Sequence, residues 1–223
     1  MSHLRQQAAQ LLAALKLPST FTFAQLPRTT GPPHPPAPAR PSPSPAVFAA
    51  LMPLIIALHS TAPAVLTGLG WALLAILFCS VVPYAVIWVG VQRGRLTDHH
   101  IGVREQRRMP LVYGLLSVLV GLAVLVLAGA PRPLVAMVVV MFAVLLIVTA
   151  INQAWKLSAH AAVASGSMSV LIIVFGPALI PSLAIVVLVG WSRVRLGDHT
   201  IGQVVAGALA GILIAVPTFV LLA

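Results

Sequence analysis

Between Ala46 and Ala223 the sequence returns repeatedly to uncharged apolar runs of about 20 residues, the length an α-helix needs to cross a hydrocarbon core of roughly 30 Å. A water-soluble globule is excluded. Only 7% of the residues are charged, 60% are hydrophobic and the mean hydropathy is +1.05, against roughly 25% charged residues in soluble domains. In lipid every backbone N–H and C=O has to be satisfied by the chain itself, in helices or in a closed barrel. The alternating half-polar strands of an outer-membrane barrel are absent. The expected fold is therefore all-α, a polytopic transmembrane helical bundle with spans near 46–67, 71–91, 110–129, 133–152, 161–178, 180–192 and 201–222. Pro53, Pro63 and Pro83 read as kinks that neighbouring helices tolerate, and the short sixth run reads as continuing into the loop that follows it. A single cysteine, Cys79, leaves neither a disulfide framework nor a thiolate metal cluster to build.

Residues 1–45 are of another kind. A short apolar stripe (Leu4, Leu11, Leu12, Leu15) precedes GPPHPPAPARPSPSP, a proline density that suits an extended, disordered tail rather than a helix. The stripe lacks the continuous apolar core and cleavage site of a signal peptide; its other reading is a weak amphipathic surface helix. The expected division is thus a basic tail, 1–45, and a membrane domain, 46–223.

Charge separates the connections into two groups. Links near Gly68–Gly70, Gly129–Pro133 and Pro177–Pro181 are tight and nearly uncharged, Arg132 excepted. The segments 93–110, 155–160 and 191–203 hold eight of the thirteen Lys/Arg residues, four of the seven histidines and all three acids, Asp98, Glu105 and Asp198. Two spans separate each of these loops from the next, so all three return to one face. The net charge of +10 is divided between this face and the tail, which points to anionic membrane lipid rather than nucleic acid as the partner.

Arginine, lysine, serine and histidine with few acids suit a phosphate group. Guanidinium forks bind its oxygens, and imidazole can act as nucleophile or general acid. A hard divalent metal would want several carboxylate oxygens instead. The third loop reads Ser192, Arg193, then Leu196, Gly197, His199, Gln203 and Gly207. This resembles the last signature of the type 2 phosphatidic acid phosphatase/haloperoxidase superfamily, SRxxxxxHxxxD, with the LG that precedes its histidine and the VxxG that follows. Leu157-Ser158-Ala159-His160 resembles that family's PSGH.

The resemblance implies a divergent bacterial plasma-membrane member that hydrolyses a lipid phosphate or diphosphate through a phosphohistidine, with no metal or other cofactor. On that model His199 attacks phosphorus, His160 protonates the leaving oxygen, and Arg193 with the Ser158 region holds the equatorial oxygens. The family's KxxxxxxRP motif has no matching lysine here; Arg104, Arg107 and Arg108, shortly before Pro110, are the substitutes, and Lys156 adds a cation from the second loop. Gln203 stands where the family has an aspartate, keeping a hydrogen-bond acceptor for His199 without the negative charge. Asp198 reads either as a partial replacement for that charge or as a helix-capping residue.

Three other functions bear on the same residues. A phosphatase-like protein that binds or moves anionic lipid without hydrolysing it follows from Gln203 and the missing lysine. Asp98, His99 and His100 resemble half of the metal motif of UbiA-type prenyltransferases, but three acids in the whole chain cannot complete it. A channel or transporter is disfavoured by spans almost free of ionisable groups, with His59, read as a packed or boundary residue, the nearest candidate. Counting seven spans puts the tail and the motif face on one side, which charge makes cytoplasmic. The resembled family works on the outer face; were 46–67 only to dip into the membrane, the tail would lie opposite.

Overall fold

A computed structural model describes residues 45–93 and 104–223, with the side chains of residues 104–110 outside that set. The expected tail and Asp98, His99 and His100 lie outside the described residues. Among those described every element is helical: α1 (Pro45–Ser60), α2 (Val65–Gln92), α3 (Arg104–Leu127), α4 (Arg132–Ala154), α5 (Ala159–Phe175), a 3₁₀ segment (Pro177–Ser182) running into α6 (Leu183–Arg195), and α7 (Ile201–Leu222). Four segments are long and apolar enough to cross a membrane: Val65–Gln92, Arg132–Ala154, Pro177–Arg195 and Ile201–Leu222. The chain is a helical membrane protein. Its outer surface carries bare leucines and valines such as Leu66, Val187 and Leu213, which lipid covers and water would not.

The first span is shorter than expected. At 16 residues α1 is about 24 Å long, less than a hydrocarbon core, and it runs antiparallel to α2: the Ser80 hydroxyl donates to the Ala46 carbonyl at 3.4 Å, while Leu58 and Thr61 sit on Gly68. It ends because Ser60 and Thr61 turn their hydroxyls back on the Ile56 and Ala57 carbonyls, at 2.7 and 2.9 Å, just before Pro63. Pro63 therefore lies in the turn and kinks nothing. Gly68 and Gly70, read from sequence as a link, are inside α2. A Cβ on Gly68 would strike Thr61 Oγ1 and come within 3.1 Å of the Leu58 backbone, so that glycine serves close helix approach rather than a turn.

Pro83 behaves as expected. Its missing N–H coincides with a π-helical turn over Leu77–Val81 in the middle of α2. The buried Ser117 of α3 donates to the Phe78 carbonyl at 2.7 Å, giving that turn a partner in a medium without water, and the Phe78 ring occupies the space a Cβ on Gly121 would take.

Two helices form the centre. Leu134, Met137, Val138, Val140, Val144 and Val148 of α4 are buried, and α5 is buried nearly all round from Ala161 to Val170 by small residues. Its partner is α7, which runs parallel to it. Ser158, Ala162 and Gly166 meet Gly207, Gly211 and Ala215 in steps of four on both helices: Gly207 lies under the Ser158 carbonyl, Gly211 under that of Ala162, and a Cβ on Gly166 would lie 3.3 Å from the Ala215 Cβ. Ser165 adds an interhelical hydrogen bond, its hydroxyl donating to the Ala208 carbonyl at 2.8 Å. Lipid tails are as apolar as leucine, so close backbone contact of this kind is what holds two membrane helices together.

Candidate phosphate-binding corner

The corner between α6 and α7 is built by local rules. Helix α6 ends in a Schellman motif: Gly197, at φ +71°, donates to the Val194 carbonyl at 3.0 Å, and Asp198 donates to the Arg193 carbonyl at 3.0 Å. The Leu196-Gly197 pair before the histidine is thus a helix stop, with Gly197 supplying the left-handed conformation. Replacing Gly197 by Ala is expected to cost about 1 kcal/mol of stability and to move His199, measurable as a lowered unfolding midpoint in micelles together with weaker binding of a lipid phosphate.

Helix α7 then starts at Thr200, whose hydroxyl accepts from Gln203 N–H at 3.3 Å while Gln203 Oε1 accepts from Thr200 N–H at 3.1 Å, a complete capping box. Thr200, rather than Asp198, is the cap. The pattern Thr-x-x-Gln is this signature in sequence, so Gln203 has a capping duty besides standing where the resembled family has an acid.

The same Oε1 lies 3.3 Å from His199 Nδ1. Because Thr200 N–H can only donate, Oε1 must be the atom facing it, and a hydrogen bond from the ring to that oxygen requires Nδ1 to carry the proton. Neutral His199 in that tautomer has its lone pair on Nε2.

Arg193 is buried, 3% exposed, which is costly for a cation at a membrane boundary unless its donors are met. Nη1 donates to Asp198 Oδ2 at 3.2 Å and Nε to Ser192 Oγ at 3.4 Å. Nη2 is buried and has no hydrogen-bond partner among the described residues. Asp198, half exposed, is the counterion of Arg193, a role the sequence reading did not assign to it.

The second loop joins this corner through Ser158. Its N–H donates to the Gln203 carbonyl at 3.2 Å, its hydroxyl accepts from Ala161 N–H at 3.4 Å as the N-cap of α5, and it is fully buried. His160, half-buried, follows in the first turn of α5. Parallel packing sets the N-termini of α5 and α7 side by side, so two helix dipoles present positive ends to the same place, an arrangement suited to an anion. Lys156 is exposed in the connecting segment. Arg104, Arg107 and Arg108 stand in the first turns of α3, spaced i, i+3 and i+4, and their side chains lie outside the described residues.

Depth is marked by aromatics. Trp88, Trp155 and Trp191 lie at the C-terminal ends of α2, α4 and α6, each about half exposed or more, where tryptophans gather at a membrane–water boundary. The Arg195 guanidinium stacks on Trp191 at 5.8 Å. Arg193 is two residues beyond Trp191. At the opposite end His59 is exposed in the last turn of α1, its ring 4.7 Å from that of Phe175, as expected of a boundary histidine. In comparisons with protein-family models, with curated proteins and with solved structures, nothing matches the chain.

Proposed function

We propose that this protein is a lipid phosphate phosphatase or diphosphatase of a bacterial plasma membrane, acting on a phosphatidate-like or polyprenyl phosphate headgroup without a metal. The observation that carries the reading is the His199 ring held at Nδ1 by Gln203 in the same corner as buried Arg193, whose Nη2 has no hydrogen-bond partner among the described residues.

The chemistry assigned to these residues runs in two steps. His199 Nε2 attacks phosphorus, the bond from phosphorus to the lipid oxygen breaks, and His160 gives that oxygen its proton. Water, giving a proton to His160, then attacks the phosphohistidine, releasing inorganic phosphate and restoring the ring. Arg193 and the two helix N-termini offset the charge on the equatorial oxygens. Purified protein should release phosphate from a panel of lipid phosphates in excess chelator; no release from any of them sinks the proposal.

One observation favours the second reading, a phosphatase-like protein that binds anionic lipid without turnover: the partner of Nδ1 is a neutral amide, which cannot offset the positive ring formed on attack. Neutralising the acid of a related His–Asp pair costs about 10⁴ in rate. Gln203→Asp is therefore expected to raise phosphate release by about tenfold or more, because the restored carboxylate stabilises the charged ring. Activity appearing only in that variant would support the binding reading. Wild-type turnover would count against it.

A further inference from the structure

We infer that the phosphate-binding corner faces the cytoplasm and takes its substrate from the inner leaflet; this deepens the phosphatase reading and rests on it. Cations close to the ends of membrane helices are held on the cytoplasmic side by the membrane potential and by anionic lipid, so their distribution reports orientation. A cation kept for binding phosphate is placed by that chemistry instead, and a bare count mixes the two kinds. Burial and contacts separate them.

The corner belongs to the bundle end formed by the C-termini of α2, α4 and α6 and the N-termini of α3, α5 and α7. Arg193 is buried in the corner, and Lys156 and the three arginines of α3 are candidates for the phosphate, so all of these are set aside. Two cations of the described residues remain at this end. Arg93 is exposed at the C-cap of α2, just beyond Trp88, and Arg195 is exposed against the Trp191 ring at 5.8 Å. Arg95 stands in the segment that joins α2 to α3. The opposite end is composed differently. It carries the turn after Ser60, the link at Gly129 and the break at Gly176, and the His59–Phe175 contact ties α1 to α5 there. Among the described residues Arg132 is its only Lys or Arg. The excess therefore survives removal of every cation that phosphate could explain, and acids weigh little in this balance. Whether α1 crosses the membrane does not enter, because the helices that shape the corner all follow it. A charged phosphate headgroup crosses a hydrocarbon core unaided only at high cost. Its supply on this reading is a cytoplasmic-side transfer that joins a phosphate from a soluble donor to a membrane lipid, and the inorganic phosphate released returns to the cytoplasm.

The test labels single added cysteines with a charged, membrane-impermeant maleimide, in intact bacterial cells making the full chain and in inverted vesicles from those cells. Gln92→Cys marks the end that holds the corner and Ala128→Cys the other; both positions are exposed, neither change alters a charge, and wild type with its buried Cys79 is the unlabelled control. Ala128→Cys should be labelled in cells, and Gln92→Cys only in inverted vesicles. Labelling of Gln92→Cys in intact cells overturns the inference. Inverted vesicles given a short-chain phosphatidate should release phosphate, and right-side-out vesicles should not. Release from right-side-out vesicles likewise overturns the inference. Release from neither overturns the phosphatase reading beneath it, while the labelling still decides which way the corner faces.

Discussion

His199→Ala is expected to reduce metal-free phosphate release to background, a loss on the order of 10⁴ or more, the size seen when a covalent nucleophile is removed from a site that keeps its other parts. The residue is half-buried in the turn between α6 and α7, and its ring is part of neither the Schellman stop nor the capping box, so its removal leaves both intact. Binding of lipid phosphate should survive within a few fold, since Arg193 and the helix N-termini remain. Wild-type protein mixed with a radiolabelled lipid phosphate and quenched in alkali should carry acid-labile label, and the variant none. Equal turnover by His199→Ala would remove the phosphohistidine and, with it, the roles given to His160 and Gln203.

Gly211→Leu is expected to cost about 3 kcal/mol or more, or to prevent accumulation of folded protein. Even a Cβ at this position runs into the Ala162 carbonyl and the Ser165 hydroxyl, and the obstructing atom is backbone that cannot rotate aside. Opening the α5–α7 contact also separates Ser158 from Gln203, so any folded fraction should bind lipid phosphate weakly. Leu213→Ala, two residues away on the lipid-facing side and 71% exposed, should change stability by no more than about 0.5 kcal/mol. Denaturant titration in micelles measures both. Comparable stability of the two variants would mean that the small-residue ladder is not what holds the second loop against the third.

Much of the architecture was legible because hydropathy is a local property. Among the described residues seven helices stand close to the seven apolar runs, the glycine at 129 closes α3 with a left-handed turn, and α6 does run past residue 192, to Arg195. The misreading at Gly68–Gly70 has a physical cause: a glycine that admits a neighbouring backbone and a glycine that turns a chain look alike in sequence. The order Arg193, His199, Gln203 was equally local, since a helix stop at Gly197 and a capping box opening at Thr200 determine that corner with little help from the rest of the molecule.

The sequence by itself determined a membrane bundle, its helices and the make-up of the α6–α7 corner, because hydropathy, capping and turn chemistry act within a few residues. Only the tertiary structure decided that Ser158 lies on Gln203, that α1 starts beside the middle of α2, and that Asp198 pairs with Arg193 instead of capping α7. Those facts depend on which backbones can approach each other. Between helices in lipid that is settled by the surface shape left by glycine, alanine and serine at matched four-residue steps, a property of two elements together that neither run of sequence contains alone.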